Sequence, residues 1–138
     1  KRLINIAENL DVKKYVDFKG FVETIESYYE HCDLFSLPSN GEGFGIVYLE
    51  AMKYGKLVIA ADARGATDVI QNNLTGKLCP YGNINCISEA ILEAYDFPEK
   101  HKKIGVSGKD YLVDNFTFEK FKERLELIIS KKNIDFND

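Results

Sequence analysis

Apolar positions change their spacing along the chain, and those changes mark out the elements. In KRLINIAENL, residues 1 to 10, Leu3, Ile4, Ala7 and Leu10 recur at the intervals of one helix face. Tyr15 to Phe18 reads as a short strand ending at Gly20, and a second helix is expected from about Val22 to His31 with Ile25, Tyr28 and Tyr29 on one side. DLFSLPS follows as a buried-type strand that Pro38 closes. Helical spacing resumes near Ile46 and stops at Gly55, after which KLVIAAD is a continuous apolar run of strand length, the pattern of an interior parallel strand. ARGATDVIQNN supplies a turn and a short helix, and GKLCP a last short strand. The remainder is helical: Cys86 to Tyr95, Glu99 to about Asp114, and Thr117 to Lys131, with Thr117 as N-cap and Glu119 in the favoured first turn.

Strands alternating with helices predict an α/β fold, a Rossmann-like parallel sheet with flanking helices. Ligands bind such sheets at the carboxyl ends of the strands. SNGEGFGIVYLEAM, Ser39 to Met52, falls there, between the Asp33 to Leu37 strand and the helix from Ile46. A helix start carries unpaired N–H groups and about half a positive charge, so a diphosphate fits against Gly45, Ile46 and Val47. Gly41, Gly43 and Gly45 allow backbone angles closed to other residues and present no side chain to a ligand. Glu42 and Glu50 bracket the junction, and a helical path with the loop added sets them on the order of 10 to 15 Å apart. Carboxylates accept well from vicinal hydroxyls, so the span suits a hexose at one end, a ribose at the other and a diphosphate between. A tight strand-to-helix connection would also use glycines. Glu50, in a segment otherwise apolar from Ile46 to Met52, needs a partner, a ligand or a solvent-facing edge.

Composition narrows the classes. The 138 residues, 45% hydrophobic, suffice for one core and a single domain. A net charge of −4 with dispersed lysines and arginines argues against nucleic acid as partner. Cys32, Cys79 and Cys86 are odd in number and lack C-x-x-C pairing, which speaks against a disulfide framework or zinc site and for a reducing cytoplasm. No apolar run reaches bilayer-spanning length. His31 and His101 have no metal-spaced partners, and His31, at a helix end, is read as a dipole partner. The serines lack a G-x-S-x-G elbow, so a serine hydrolase is not supported. The amphipathic FEKFKERLELIISKK is read as packing against the parent protein, with a membrane surface as the lesser alternative. A dinucleotide site would need G-x-G-x-x-G, and Tyr48 stands at the third glycine position.

The stretch Glu42-Gly43-Phe44-Gly45-Ile46-Val47-Tyr48-Leu49-Glu50 resembles the E-x7-E signature of the large "group 1" family of retaining GT-B glycosyltransferases, which includes many capsule, lipopolysaccharide and mannosyl transferases. Val16 to Gly20 is similar to that family's V-x-F-x-G strand, Asp33 to Ser39 to its D-hydrophobic-PS strand, and Gly55 to Asp62 to its G-x-P-V-I-A-x-D strand. The resemblance runs from about Leu10 to the C-terminal helix. It implies that Glu42 is catalytic and contacts hydroxyls of the donor sugar, and that Glu50 holds the ribose. It also implies that backbone near Gly43, Phe44, Gly45 and Ile46 meets the sugar and diphosphate, with Gly20, Phe21 and Val22 bordering the base. The implied reaction transfers a sugar with retention from a UDP- or GDP-linked donor to a glycan or lipid-linked acceptor. No metal or other cofactor is implied, and no D-x-D motif is present.

The family's basic phosphate ligands, two sheet strands and acceptor-binding N-terminal domain precede the matched region. Residues 1–138 are therefore expected to form a partial, N-terminally truncated donor-binding domain, inactive alone and partnered by the missing N-terminal domain. Its place is the cytoplasm, with peripheral association at the cytoplasmic membrane face left open for the parent. The Tyr15 strand should not neighbour the Leu34 strand, because the missing strands lie between them. Departures are R-G-A-T-D, Arg64 to Asp68, for the family's G-G-x-x-E, and Lys56-Leu57 for x-Pro. Arg64 is a solvated turn residue or a phosphate partner, the turn favoured, and Asp68 a helix cap rather than a ligand. The alternative class is a non-catalytic Rossmann-like domain that binds a nucleotide sugar or a protein partner.

Overall fold

Three parallel strands, β1 (Leu34–Leu37), β2 (Leu57–Asp62) and β3 (Lys77–Pro80), form a sheet in the order β1-β2-β3. The computed structural model describes residues 2–134, so Lys1 of the first predicted helix and residues 135–138 lie outside it. Seven helices surround the strands among the described residues: α1 (Arg2–Asn9), α2 (Glu26–His31), α3 (Ile46–Lys53), α4 (Ala66–Val69), α5 (Ile84–Asp96), α6 (Pro98–Asn115) and α7 (Phe118–Ile134).

The KLVIAAD run owes its apolar character to its place as the central strand. Leu57 to Ala61 are all buried, and Leu34 pairs with Leu57 on one side while Ile59 pairs with Lys77 on the other. Strand side chains alternate between faces, so β2 serves two cores. Val58 and Ala60 join Tyr29, Tyr48, Ala51, Met52 and Val69, whereas Leu57 and Ile59 join Cys79 and Ala90. Helices α3 and α4 cover the first face and α5 the second, and α6 reaches both through Leu112 and Ile104. A Cβ on Gly105 would lie 2.2 Å from the Gly55 carbonyl oxygen, so only glycine lets α6 lie directly on the turn between α3 and β2.

The predicted α/β architecture is present, and every strand from Leu34 onward lies where the pattern placed it. Five local expectations are corrected. Tyr15 to Phe18 is not a strand: Lys13–Tyr15 form a 3-10 turn and residues 16–20 are irregular. An extended segment becomes a strand only by pairing, and the free edge of β1 has no neighbour among the described residues. With no strand at Tyr15, the expected separation of such a strand from β1 does not arise. Helix α2 begins at Glu26 rather than Val22, consistent with the β-branched Val22, Thr24 and Ile25, which disfavour a helical start. Helix α1 ends at Asn9, leaving Leu10 outside and exposed. Asp68 is not a cap, because the cap position of α4 is Gly65 and Asp68 lies exposed within the first turn. Helix α5 starts two residues before Cys86, where the Asn83 side chain accepts the Cys86 N–H at 3.0 Å. Thr117 caps the start of α7, accepting the Lys120 N–H at 3.4 Å.

Candidate functional site

Loops at the carboxyl ends of β1 and β2 meet directly over the start of α3. The β1 loop leaves at Pro38 and enters α3 through Gly45, whose φ of 84° is the left-handed region closed to most side chains. A Cβ on Gly45 would lie 2.7 Å from both the Gly65 carbonyl oxygen and a ring carbon of Tyr48. On the other side of the same contact, a Cβ on Gly65 would lie 2.4 Å from the Glu42 carbonyl oxygen. Of the three glycines in the motif, Gly45 alone takes a positive φ, and its open side is filled by the protein. Around Gly41 and Gly43 nothing lies within 4 Å of a Cβ position, so clear backbone is presented there instead.

The helix entrance carries unspent donors. Among the described residues, no protein acceptor meets the N–H groups of Gly43, Phe44, Gly45, Ile46 and Val47, and the first turn bond is Tyr48 N–H to the Gly45 carbonyl oxygen at 3.0 Å. Phe44 and Ile46 are exposed, which leaves the entrance open to solvent. Helix α3 supplies its apolar face, Tyr48, Ala51 and Met52, to the core, and this fixes the direction in which its start points.

Each acid has a buried tyrosine beside it. Glu50 occupies the solvent-facing edge of α3 and accepts a hydrogen bond from the Tyr29 hydroxyl at 3.2 Å. Burial, and then the charge of Glu50, push the Tyr29 phenol up to about 12. Half-buried Glu42 acts in the same sense on Tyr48, whose phenol is raised first by burial and then by that carboxylate. The Tyr48 hydroxyl donates to the Leu37 carbonyl oxygen at 3.0 Å, tying α3 to the end of β1. Phe35 lies between the two tyrosines, with edge-to-face ring centroids 5.6 Å from Tyr29 and 6.4 Å from Tyr48. Tyr29, Phe35 and Tyr48 thus form one aromatic row.

The remaining predicted residues fall into two groups. Gly20 and Val22 line a cavity of about 270 Å³ along the free edge of β1, together with Tyr29 and Ser36. Phe21 projects away, 91% exposed. Arg64 is exposed at the turn after β2. His31 behaves as the helix-end partner expected, its Nδ1–H donating to the Ser27 carbonyl oxygen at 2.7 Å. His101 is buried 3.9 Å from Glu93 on the far side of the molecule from the motif, against the amino-terminal parts of β2 and β3. No group of three metal-ligating side chains occurs among the described residues. Sequence reasoning missed Tyr29 and Gly65 as parts of the site. Their roles depend on contacts 21 and more residues away in the chain, which no local spacing encodes.

Residues 1–111 match the family profile described as "Glycosyl transferases group 1". The chain belongs to that family. This group 1 chain is 29% identical over 126 residues to N-acetyl-alpha-D-glucosaminyl L-malate synthase of Bacillus anthracis, covering 91% of this chain and 33% of that protein. Its fold matches Anabaena Alr3699/HepE in complex with UDP, with a TM-score of 0.87 and 26% identity over 94% of this chain and 36% of that one. The same Anabaena protein in complex with UDP-glucose gives a TM-score of 0.84. The C-terminal domain of the group 1 family protein LpcC from Francisella tularensis matches with a TM-score of 0.78 and 25% identity, covering 85% of this chain and 62% of that domain. These solved relatives place the fold among GT-B glycosyltransferases, and the chain spans about a third of the curated relative. No helix among the described residues is long and apolar enough to cross a membrane.

Proposed function

We propose that this group 1 glycosyltransferase chain is the donor-binding part of a retaining hexosyltransferase, and that the entrance of α3 holds the diphosphate of a UDP- or GDP-sugar. The observation that carries the reading is the row of five unspent amides, Gly43 to Val47, between Glu42 and Glu50. A hydrogen bond to a charged group contributes about 1.5 to 3 kcal/mol, and the helix terminus about 0.3 to 2 kcal/mol more. Several amides acting together favour the diphosphate most strongly as it departs and gains charge, the condition for a catalytic rather than merely binding role.

Glu42 takes the sugar hydroxyls, next to the open backbone of Gly43. Glu50, held by Tyr29, takes the ribose, and the base extends toward the Gly20, Val22 and Tyr29 cavity. The UDP and UDP-glucose complexes of the Anabaena relative support a nucleotide sugar as the donor class. Cationic phosphate ligands, the acceptor site and the first strands of the sheet then belong to the N-terminal portion of the complete enzyme, and the acceptor is a glycan or lipid-linked sugar. The reading assigns no metal to the reaction, so a chelator should leave turnover unchanged.

The test is turnover of the complete enzyme with a panel of UDP- and GDP-sugars, the product's anomeric configuration read by NMR. The reading predicts transfer from one donor with its configuration kept, abolished by Glu42→Ala. An inverted product removes the retaining assignment. Donor binding without any transfer or hydrolysis favours the non-catalytic alternative.

A further inference from the structure

Outside the donor site, the second core contains two of the three cysteines, and both sulfurs meet there. Cys79, on β3, is completely buried, and the half-buried Cys86 lies in the first turn of α5 with its sulfur 2.6 Å from the Cys79 sulfur. Two features hold the pair together independently of that contact. The turn between them is closed by the Asn83 N–H on the Pro80 carbonyl oxygen at 2.9 Å, and the Asn83 side chain caps the helix at the Cys86 N–H. Their neighbours are Leu57, Ile59, Ala90 and Ile87, so the thiols have apolar surroundings and no metal-ligating third partner among the described residues. Residues 80 to 85 are exposed throughout, giving a reagent a path to Cys86 but not to Cys79.

We propose that Cys79 and Cys86 are a reversible dithiol that a small-molecule disulfide oxidises to an intramolecular bond, bracing β3 to the start of α5. In the first step the Cys86 thiolate attacks the disulfide, forming a mixed disulfide and releasing one thiol. In the second, Cys79 gives up its proton and attacks the Cys86 sulfur, expelling the other thiol. Two protein S–H bonds and one reagent S–S bond are replaced by one protein S–S bond and two reagent S–H bonds, so atoms and electrons balance. Burial, then the neighbouring thiol, hold the Cys79 thiol up to about 12, so the second step depends on the sulfurs' proximity rather than on a standing thiolate. The C-x6-C spacing carries no disulfide signature, and oddness of the cysteine count pointed away from pairing. Only the fold brings these two sulfurs together.

The test uses the intact protein with oxidised glutathione, acid quenching, alkylation under denaturing conditions and peptide mapping. Titratable thiols should fall from three to one, with Cys32 still alkylated, peptides 79 and 86 joined and no glutathione retained. Dithiothreitol should restore all three. Cys86→Ser should leave Cys79 free after the same treatment. Glutathione remaining on Cys86 in the unaltered protein, a bond through Cys32, or three unreacted thiols would each overturn the proposal.

Discussion

Tyr29 is the residue whose role extends furthest beyond its place in the core. Its ring packs against Phe35 and stacks on Tyr54 at 5.8 Å, while its hydroxyl holds Glu50. Tyr29→Phe keeps the packing and removes one hydrogen bond to a carboxylate, a change of about 1 to 2 kcal/mol. In the complete enzyme this should lower kcat/KM for the donor by about 5- to 30-fold with little change in Tm, as steady-state kinetics and a melt would show. A second expectation follows from ionisation. A phenol whose pKa is raised on folding contributes stability that is whole below its ordinary value of 10 and is lost as pH climbs toward about 12. Of the eight tyrosines, Tyr29 should be among the last to ionise in an ultraviolet phenolate titration of the folded protein, and Tyr29→Phe should remove that late component. The two acids and the glycines between them were legible in the sequence, since their spacing along one strand, loop and helix is local. Tyr29 was visible only as a helix-face residue, because its partner is 21 positions away.

Among the elements, the two loops over α3 act as one unit through glycine. Gly65→Ala would set a methyl group 2.4 Å from the Glu42 carbonyl oxygen and force a side chain onto a φ of 88°. That overpacking costs about 1 to 3 kcal/mol. Because the displaced backbone carries Glu42, donor binding should weaken together with Tm, measured by calorimetry and thermal melting. Gly105→Ala makes a still closer contact, 2.2 Å from the Gly55 carbonyl oxygen, but between α6 and the turn before β2. It should lower Tm through the same range of cost while leaving donor affinity of the folded enzyme nearly unchanged. Reading strands by apolar pattern succeeded from β1 to β3 because each pairs with a neighbour, with β2 buried between the other two. The Tyr15 to Phe18 segment has strand-like residues and no strand beside it, and pattern alone cannot supply a partner.

For the molecule as a whole, a three-stranded sheet with helices on both faces aims one helix entrance and two loops at the same end, with a cavity along the free edge of β1. The free amides of Gly43 to Val47 lie at that end, and the Cys79–Cys86 pair lies in the second core. The two acids divide the donor between them, and binding measured separately for the nucleoside diphosphate and for the nucleotide sugar resolves that division. Calorimetry on the complete enzyme should show Glu50→Ala weakening both ligands by about tenfold, or ~1.4 kcal/mol. Glu42→Ala should leave the nucleoside diphosphate untouched and weaken only the nucleotide sugar. Equal affinities for both ligands in both variants, or an equal loss of the bare diphosphate on changing Glu42, would contradict the account.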